Sequence, residues 1–150
     1  MEAADGIDVL QLIDKKIPDL ILLDLVMPQL SGDDLVRELK NSEKFNSIDI
    51  LINNAGIWNY GAIDDMSLEH WKELIDINLT GTFLITKYVA QKMKLQKSGK
   101  IVTVTSTAGQ RGEAFHSHYA ASKGAQISFT KSLATAVSYT HLTLPTKVSV

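Results

Sequence analysis

Three side chains in the second half of this sequence could take part in moving a proton to or from an oxygen atom: Ser106, Tyr119 and Lys123. A phenol exchanges its proton with difficulty near neutral pH, because the pKa of free tyrosine is about 10. A nearby cation stabilises the phenolate and eases the exchange. Lys123 is four positions beyond Tyr119, so on a helix the two side chains share a face and the lysine can supply that charge. The pair therefore indicates acid–base chemistry on an oxygen-bearing substrate.

Two further motifs lie upstream of these residues. Residues 53–56 read Asn-Asn-Ala-Gly, and Asn78 stands in the stretch Ile-Asn-Leu-Thr-Gly. Each has an ordinary structural explanation: Asn and Gly tolerate positive φ in a turn, Asn78 could cap backbone groups at a helix joint, and Ser106 could be a plain strand-end serine. A tyrosine and a lysine four apart are also common on helices. The order and spacing of all the motifs together need another explanation.

In that order and spacing, the motifs resemble those of the short-chain dehydrogenase/reductase family over about residues 47–134. Members of that family move a hydride between a nicotinamide and a carbonyl or alcohol. The resemblance therefore implies an oxidoreductase that uses NAD or NADP on a small carbonyl or alcohol substrate. It also implies that Ser106 donates a hydrogen bond to the substrate oxygen and that Asn78 holds a water linking the lysine to solvent. The implied catalytic residues are Asn78, Ser106, Tyr119 and Lys123.

The same resemblance implies a cofactor cleft at the carboxyl ends of the strands, where open α/β sheets bind ligands. The lysine would also hydrogen-bond the nicotinamide ribose. The sequence does not identify the substrate or the oligomeric state, and it does not separate NAD from NADP, because the residue that reads the adenosine ribose is missing. The implied cofactor-binding residues are Asn53, Asn54, Ala55, Gly56, Tyr119 and Lys123.

One part of the family pattern, the glycine-rich turn Thr-Gly-x-x-x-Gly-x-Gly, does not occur in this sequence. In the family that turn supplies the backbone donors and the helix amino terminus that bind the pyrophosphate of a dinucleotide. We therefore expect this chain, taken alone, to be incomplete, to bind NAD or NADP weakly and to show no turnover. A non-functional chimeric fragment is the corresponding alternative to an active oxidoreductase.

The first 46 residues do not fit that family and instead resemble the middle of a response-regulator receiver domain. The resemblance rests on Asp24, Met27-Pro28 and Gly32, which follow an apolar run at residues 20–23. It implies an alternative function as a phosphorelay module, in which Asp24 accepts a phosphoryl group with the help of Mg²⁺. A receiver holds that ion with paired acids at the end of its first strand, and that pair is absent from the sequence. A seam between the two resemblances would lie near residues 47–49.

Apolar runs alternate with helical periodicities along the chain, which is typical of βαβ units and a parallel sheet. We expect a single three-layer α/β unit over residues 1–150, a truncated Rossmann-like or flavodoxin-like fold with helices on both faces of a small sheet. Adjacent strand residues point to opposite faces, so both can be buried only if both faces are covered. The predicted core is Leu22, Leu51, Ile52, Val102 and Val104. The predicted strands are residues 20–24, 48–53 (central) and 101–105, and the predicted helices are residues 33–41, a helix opened by Ser67, 82–97 and 118 to about 137.

The composition excludes several classes of function. The chain has 150 residues, which is enough for one domain with one core. With 15 basic against 17 acidic residues, it lacks a basic surface for nucleic acid, and with no cysteine it has no thiolate nucleophile. No signal-peptide pattern and no apolar run long enough to span a bilayer occur in the sequence. We therefore expect no membrane partner and a cytoplasmic location.

Other residues favour plain structural interpretations. His116 and His118 are two positions apart with no third ligand in the sequence, so we expect exposed loop histidines rather than a metal site. Trp58 and Trp71 are expected to pack, although Trp58 could line a substrate pocket. Residues 137–150 are expected to form an irregular tail, because they are rich in β-branched residues and include a proline. The tail resembles translated sequencing-adapter sequence; a loop leading to a short edge strand at residues 147–150 is the alternative.

Overall fold

The computed structural model describes residues 48–138, together with the single residue Gln11. The chain divides between Ser47 and Ile48 into two units, and every described residue except Gln11 belongs to the second. The predicted strand 20–24, the predicted helix 33–41 and the alternative phosphoacceptor Asp24 lie outside the described residues. The receiver-like segment therefore stays a prediction.

The described elements alternate between strands and helices in chain order. A short π-helical segment, hereafter the π-turn, joins the first two helices. The elements are β1 (Ile50–Asn53), α1 (Leu68–Ile75), the π-turn (Asp76–Thr80), α2 (Gly81–Gln96), β2 (Lys100–Thr103), α3 (Ala108–Arg111) and α4 (Ser117–Ser138).

The two strands pair in parallel, with Ile50 opposite Lys100 and Asn53 opposite Thr103. Parallel strands need a long crossover between them, and here α1, the π-turn and α2 provide it. This arrangement confirms the predicted Rossmann-like α/β class and the predicted pairing of the two segments. The strands themselves are shorter than predicted, since β1 begins at Ile50 rather than at residue 48, and β2 is Lys100–Thr103 rather than residues 101–105.

The predicted core is wrong for Ile52, whose side chain is 45% exposed. Leu51, Val102 and Val104 are half-buried rather than buried. The buried strand residues are Asn53, Ile101 and Thr103. Polar contacts explain this choice of face: the Asn53 amide donates to Thr86 of α2 at 3.0 Å, and the Thr130 hydroxyl of α4 donates to that of Thr103 at 3.1 Å.

The ends of the first two described helices are set by local backbone chemistry. As predicted, Ser67 opens α1, and its hydroxyl accepts a hydrogen bond from the His70 amide at 3.1 Å. Helix α2 was predicted over residues 82–97, and it ends one residue earlier, at Gln96, because Lys97 takes the left-handed conformation with φ 57°. Gly99 serves close packing, since a Cβ there would lie 2.4 Å from the Met93 side chain.

Helix α4 begins at Ser117 and runs to Ser138, so the first two residues of the predicted tail are helical. The rest of that tail lies outside the described residues. Across residues 48–138, no helix is long and apolar enough to cross a membrane.

Candidate functional site

Asn78 lies in the π-turn, the irregular joint that the sequence predicted between two helices. The Gly81 amide donates to the carbonyl of Asp76, five residues earlier, and such π-bulges are frequent at functional sites. The Asn78 side chain is fully buried. Its Oδ1 accepts from the Ile57 amide at 2.7 Å, and its Nδ2 donates to the Ile57 carbonyl at 2.9 Å and to the Ser122 hydroxyl at 3.1 Å. Both amide hydrogens are therefore used, and one lone pair on Oδ1 is left to accept a further hydrogen bond.

The backbone carbonyl of Asn78 is also held by side chains. It accepts from the Thr82 hydroxyl at 2.8 Å and from Gln126 Nε2 at 2.6 Å. Gln126 belongs to α4 and is buried, so this contact ties the π-turn to the helix that carries Tyr119 and Lys123. The joint is consequently fixed from both sides.

Lys123 is a buried cationic side chain with 4% exposure. Its Nζ donates to the Val104 carbonyl at 3.2 Å, which leaves two N–H groups for other acceptors. Burial lowers the pKa of Lys123 below its ordinary value, because the charged form loses hydration. The Nζ lies 5.8 Å from the centre of the Tyr119 ring, as the four-residue spacing on one helix predicts.

Gly56 brings the Asn-Asn-Ala-Gly turn against these groups. A Cβ at Gly56 would lie 3.0 Å from Asn78 Oδ1 and 3.4 Å from Lys123 Nζ, so the absent side chain leaves a recess between the two. The other end of the turn differs from the expectation of a cofactor-lining residue: the Asn53 side chain is buried and donates to Thr86 rather than facing a cleft. Asn54 is exposed and Ala55 is half-buried.

Ser106 and Tyr119 line the same cavity, which has a volume of about 400 Å³. Ser106 follows the carboxyl end of β2, and Tyr119 lies in the first turns of α4. The Ser106 Oγ accepts a hydrogen bond from the Ala108 amide at 3.1 Å, which leaves its own hydrogen free to donate. The cavity is lined by Trp58, Ser106, Thr107, Ala108, Arg111, Gly112, Glu113 and Tyr119.

Helix α3 holds Ser106 close to α4 through two glycines. A Cβ at Gly109 would lie 2.5 Å from the backbone carbon of Lys123 and 2.6 Å from the amide nitrogen of Gly124. A Cβ at Gly124 would lie 3.1 Å from the Gly109 carbonyl oxygen. The two backbones therefore touch directly, and this contact sets how near Ser106 comes to the face of α4 that bears Tyr119.

The expectation that His116 and His118 are exposed loop histidines is wrong. They are 9% and 0% exposed, and His118 lies within α4. The chain at residues 58–61 covers them: Gly61 pairs with His116 in a single parallel bridge, and Asn59 Oδ1 accepts from His118 Nε2 at 2.9 Å. Since Asn59 Oδ1 can only accept, His118 carries its proton on Nε2, and its buried Nδ1 has no partner.

Burial and the neighbouring rings of His70 and His116 all lower the pKa of His118. The His70 and His118 rings meet edge to face at 5.0 Å. Within residues 48–138 no group of three or more side chains is placed to hold a metal ion.

Three residues of the site were not predicted as such. Ser122 donates to the Tyr119 carbonyl at 2.8 Å while it accepts from Asn78, and Gln126 and Gly109 make the contacts described above. Ser122 and Gln126 lie three and seven positions beyond Tyr119, one face of a helix. That spacing indicated that a polar face of this helix packs against a polar partner, which the structure shows to be Asn78.

A comparison with protein-family descriptions matches residues 26–146 to the short chain dehydrogenase family. The chain belongs to this family. The match extends beyond residues 47–134 at both ends, over part of the receiver-like segment and most of the tail. It gives no sign of a receiver domain or of a foreign tail.

Several curated relatives are similar to this chain in sequence. The chain is 44% identical over 105 residues to a 3-oxoacyl-(acyl-carrier-protein) reductase of Synechocystis sp., which covers 69% of this chain and 42% of the relative. It is 45% identical over 87 residues to an acetoacetyl-CoA reductase of Acinetobacter sp., covering 58% of this chain and 35% of the relative. A FabG-type 3-oxoacyl-(acyl-carrier-protein) reductase of Vibrio cholerae is 37% identical over 105 residues, 70% of this chain and 43% of the relative. The chain thus spans less than half the length of these relatives.

Proposed function

We propose that this chain carries the acid–base half of an NAD(P)-dependent oxidoreductase site that acts on small carbonyl or alcohol substrates. The observation that carries the proposal is the shared cavity of Ser106 and Tyr119, with the buried amine of Lys123 next to the Tyr119 ring. Proton exchange at a carbonyl oxygen needs a donor, an orienting hydrogen bond and a stabilising charge, and these three residues supply them.

In the reducing direction, the substrate oxygen lies between the Ser106 and Tyr119 hydroxyls. Ser106, whose Oγ accepts from the Ala108 amide, donates its free hydrogen to that oxygen. Tyr119 donates its proton to the same oxygen as negative charge develops there. The Lys123 amine, held by the Val104 carbonyl, stabilises the phenolate that remains. Asn78 keeps the turn at Ile57 in place and has one lone pair on Oδ1 for a water that returns the proton.

The residues present fit the nicotinamide end of a dinucleotide. Lys123 has two unused N–H groups for ribose hydroxyls, and the recess at Gly56 lies beside it. Lys123, Tyr119 and the backbone at residues 54–56 would hold that end, and Asn53 would contribute only backbone. When bound, the reduced cofactor supplies the hydride that adds to the carbonyl carbon.

The residues present do not fit the pyrophosphate end of a dinucleotide in the same way, because the glycine-rich turn that binds it in the family does not occur in this sequence. We therefore expect weak binding of NADH and NADPH to the chain alone. For the substrate we propose a 3-oxoacyl thioester or a simpler 3-oxo ester, because relatives of this chain are named as reductases of 3-oxoacyl and acetoacetyl thioesters.

The decisive experiment separates the two ends of the cofactor. Reduction of ethyl acetoacetate is measured with NADH, with NADPH and with reduced nicotinamide mononucleotide, which has no pyrophosphate or adenosine to bind. Each assay compares the wild-type chain with Tyr119→Phe, which keeps the ring and removes the proton donor. We expect millimolar reduced mononucleotide to support reduction that Tyr119→Phe abolishes, and NADPH to do no better at equal concentration.

Two results would change the proposal in different ways. Saturable binding of NADPH at micromolar concentration would show that other residues bind the pyrophosphate. Reduction that is equal in the wild type and in Tyr119→Phe with every donor would remove Tyr119 as the proton donor and refute the proposed function.

A further inference from the structure

Trp58 is exposed and yet firmly held, which is unusual for a large aromatic side chain on a loop. It is 58% exposed. One face of its indole stacks on the His116 ring, with the ring centres 4.4 Å apart and an angle of 9° between the planes. Its Nε1 donates to the Glu113 carboxylate, at 3.3 Å from Oε1 and 3.4 Å from Oε2. These contacts fix the ring at one face and one edge.

The fixed indole belongs to the wall of the cavity that contains Ser106 and Tyr119. Because His116 covers one face, the exposed area of the ring includes the opposite face. The other cavity residues are mostly small or polar. Trp58 and Tyr119 are the two aromatic side chains that line the cavity, and the uncovered indole face of Trp58 is the larger flat surface beside the two hydroxyls.

A flat surface of this kind discriminates by shape and by π-electron geometry. Offset stacking of two aromatic rings contributes beyond the area that is buried, and a saturated ring of the same size does not gain that term. Since the indole is already immobilised by His116 and Glu113, stacking on it costs little further conformational entropy. An aromatic group attached to the carbonyl carbon is the best match.

We infer that Trp58 is a specificity-determining residue whose open indole face receives an aromatic group next to the substrate carbonyl. Aryl 3-oxo esters are then preferred over alkyl esters of equal size, and Glu113 acts as a positioning residue that holds the indole. This inference rests on the proposed function for the placement of the carbonyl between Ser106 and Tyr119. The preference itself is a binding property and does not require turnover.

The test uses a matched pair of ligands, ethyl benzoylacetate and ethyl 3-cyclohexyl-3-oxopropanoate, which differ in the aromaticity of one six-membered ring. Dissociation constants are measured by NMR titration of the full chain without a cofactor. We expect the phenyl ligand to bind about threefold to tenfold tighter, which corresponds to the stacking gain of an aromatic pair. In Trp58→Leu the ratio should fall to about one. In the control variant Trp71→Phe it should not change.

Glu113 provides a second pair of variants that leaves the cavity aromatic in place. Glu113→Ala removes the acceptor of the indole N–H and should lower the phenyl-to-cyclohexyl ratio, whereas Glu113→Gln keeps an acceptor and should restore it. This pair also decides the outcome if Trp58→Leu fails to fold. If folded Glu113→Ala leaves the phenyl-to-cyclohexyl ratio unchanged, the held indole is not what separates the two ligands, and the inference is overturned.

The outcomes separate the inference from the proposed function. A wild-type ratio near one overturns the inference even if Tyr119-dependent reduction is found. A ratio that depends on Trp58, without Tyr119-dependent reduction from any donor, supports the aromatic subsite and refutes the proposed reaction. Displacement of the phenyl ligand by 1-methylnicotinamide at the Trp58 ring would assign the indole face to a nicotinamide and would also overturn the inference.

Discussion

The close approach of α3 and α4 predicts that Gly109→Ala is costly although alanine is the better helix former. The new methyl carbon would lie 2.5 Å from the Lys123 backbone carbon and 2.6 Å from the Gly124 amide nitrogen. Optimal contacts between carbon atoms are about 3.5–4.0 Å, so the two helices must separate by roughly 1 Å. Backbone atoms cannot rotate aside as a side chain can, and the overlap is therefore not relieved by a new rotamer.

Two opposing effects set the size of the change. Overpacking of this kind costs about 1–3 kcal/mol and more when backbone must shift, whereas replacing glycine by alanine in a helix gains up to about 1 kcal/mol. We expect a net loss of about 2 kcal/mol in the free energy of unfolding. For a domain of this size that loss lowers the urea midpoint by about 1 M.

The matched control is Gly124→Ala on the opposite side of the same contact. Its methyl group would lie 3.1 Å from the Gly109 carbonyl oxygen and 3.9 Å from the Gly109 carbonyl carbon and Cα, so its overlap is much smaller, and it would also gain helix propensity. We expect its stability to stay within about 0.5 kcal/mol of the wild type. Urea melts of both variants, followed by circular dichroism, give the comparison. If Gly109→Ala is no less stable than Gly124→Ala, the proposed role of the glycine contact is wrong.

Three further predictions concern the buried polar groups. The pKa of His118 is lowered in the folded state, so below about pH 6.5 the unfolded chain binds more protons than the folded one and the free energy of unfolding should fall as the pH drops. Urea melts from pH 8 to pH 5 should show this fall, and His118→Gln should make it smaller. Ser122→Ala leaves one amide hydrogen of Asn78 unpaired in the interior and should cost about 1–3 kcal/mol, whereas Ser128→Ala on the exposed face of the same helix should cost less than about 0.5 kcal/mol. Gly56→Ala places a methyl carbon 3.0 Å from Asn78 Oδ1 and should lower the free energy of unfolding by about 1 kcal/mol. It should also shift the NMR signals of the Asn78 side-chain amide, and unchanged signals would contradict the recess described at Gly56.

Local spacing explains why much of the site could be predicted. The contact between Tyr119 and Lys123 follows from one helical turn, and the cap at Ser67 follows from the chemistry of its hydroxyl. The pairing of β1 with β2 follows from the apolar runs and the helical crossover between them. Each of these depends on residues that are near in sequence or on an element of known length.

Contacts between distant segments explain what the sequence missed. Asn53 could equally have faced a cleft, and only the position of Thr86 on α2 decides that its amide turns inward. His118 appeared exposed because nothing near it in the sequence indicates that Asn59 and His70 cover it. The burial of Ile52 was overestimated because the prediction required helices on both faces of the sheet, and the Ile52 side chain is 45% exposed.

The π-turn at Asp76–Thr80 also determines which insertions and deletions this chain can tolerate. A π-helical turn contains one residue more than the α-helical turn it replaces, and each residue rotates a helix by about 100°. Deleting one residue here would restore regular α-helix and would turn the whole of α2 relative to α1, so that Leu74 and Val89, both buried now, could not remain buried together. The same deletion would carry the Asn78 amide away from Ile57. Length at this joint is therefore constrained by core packing as well as by the site, and changes of length should be confined to the connecting loops.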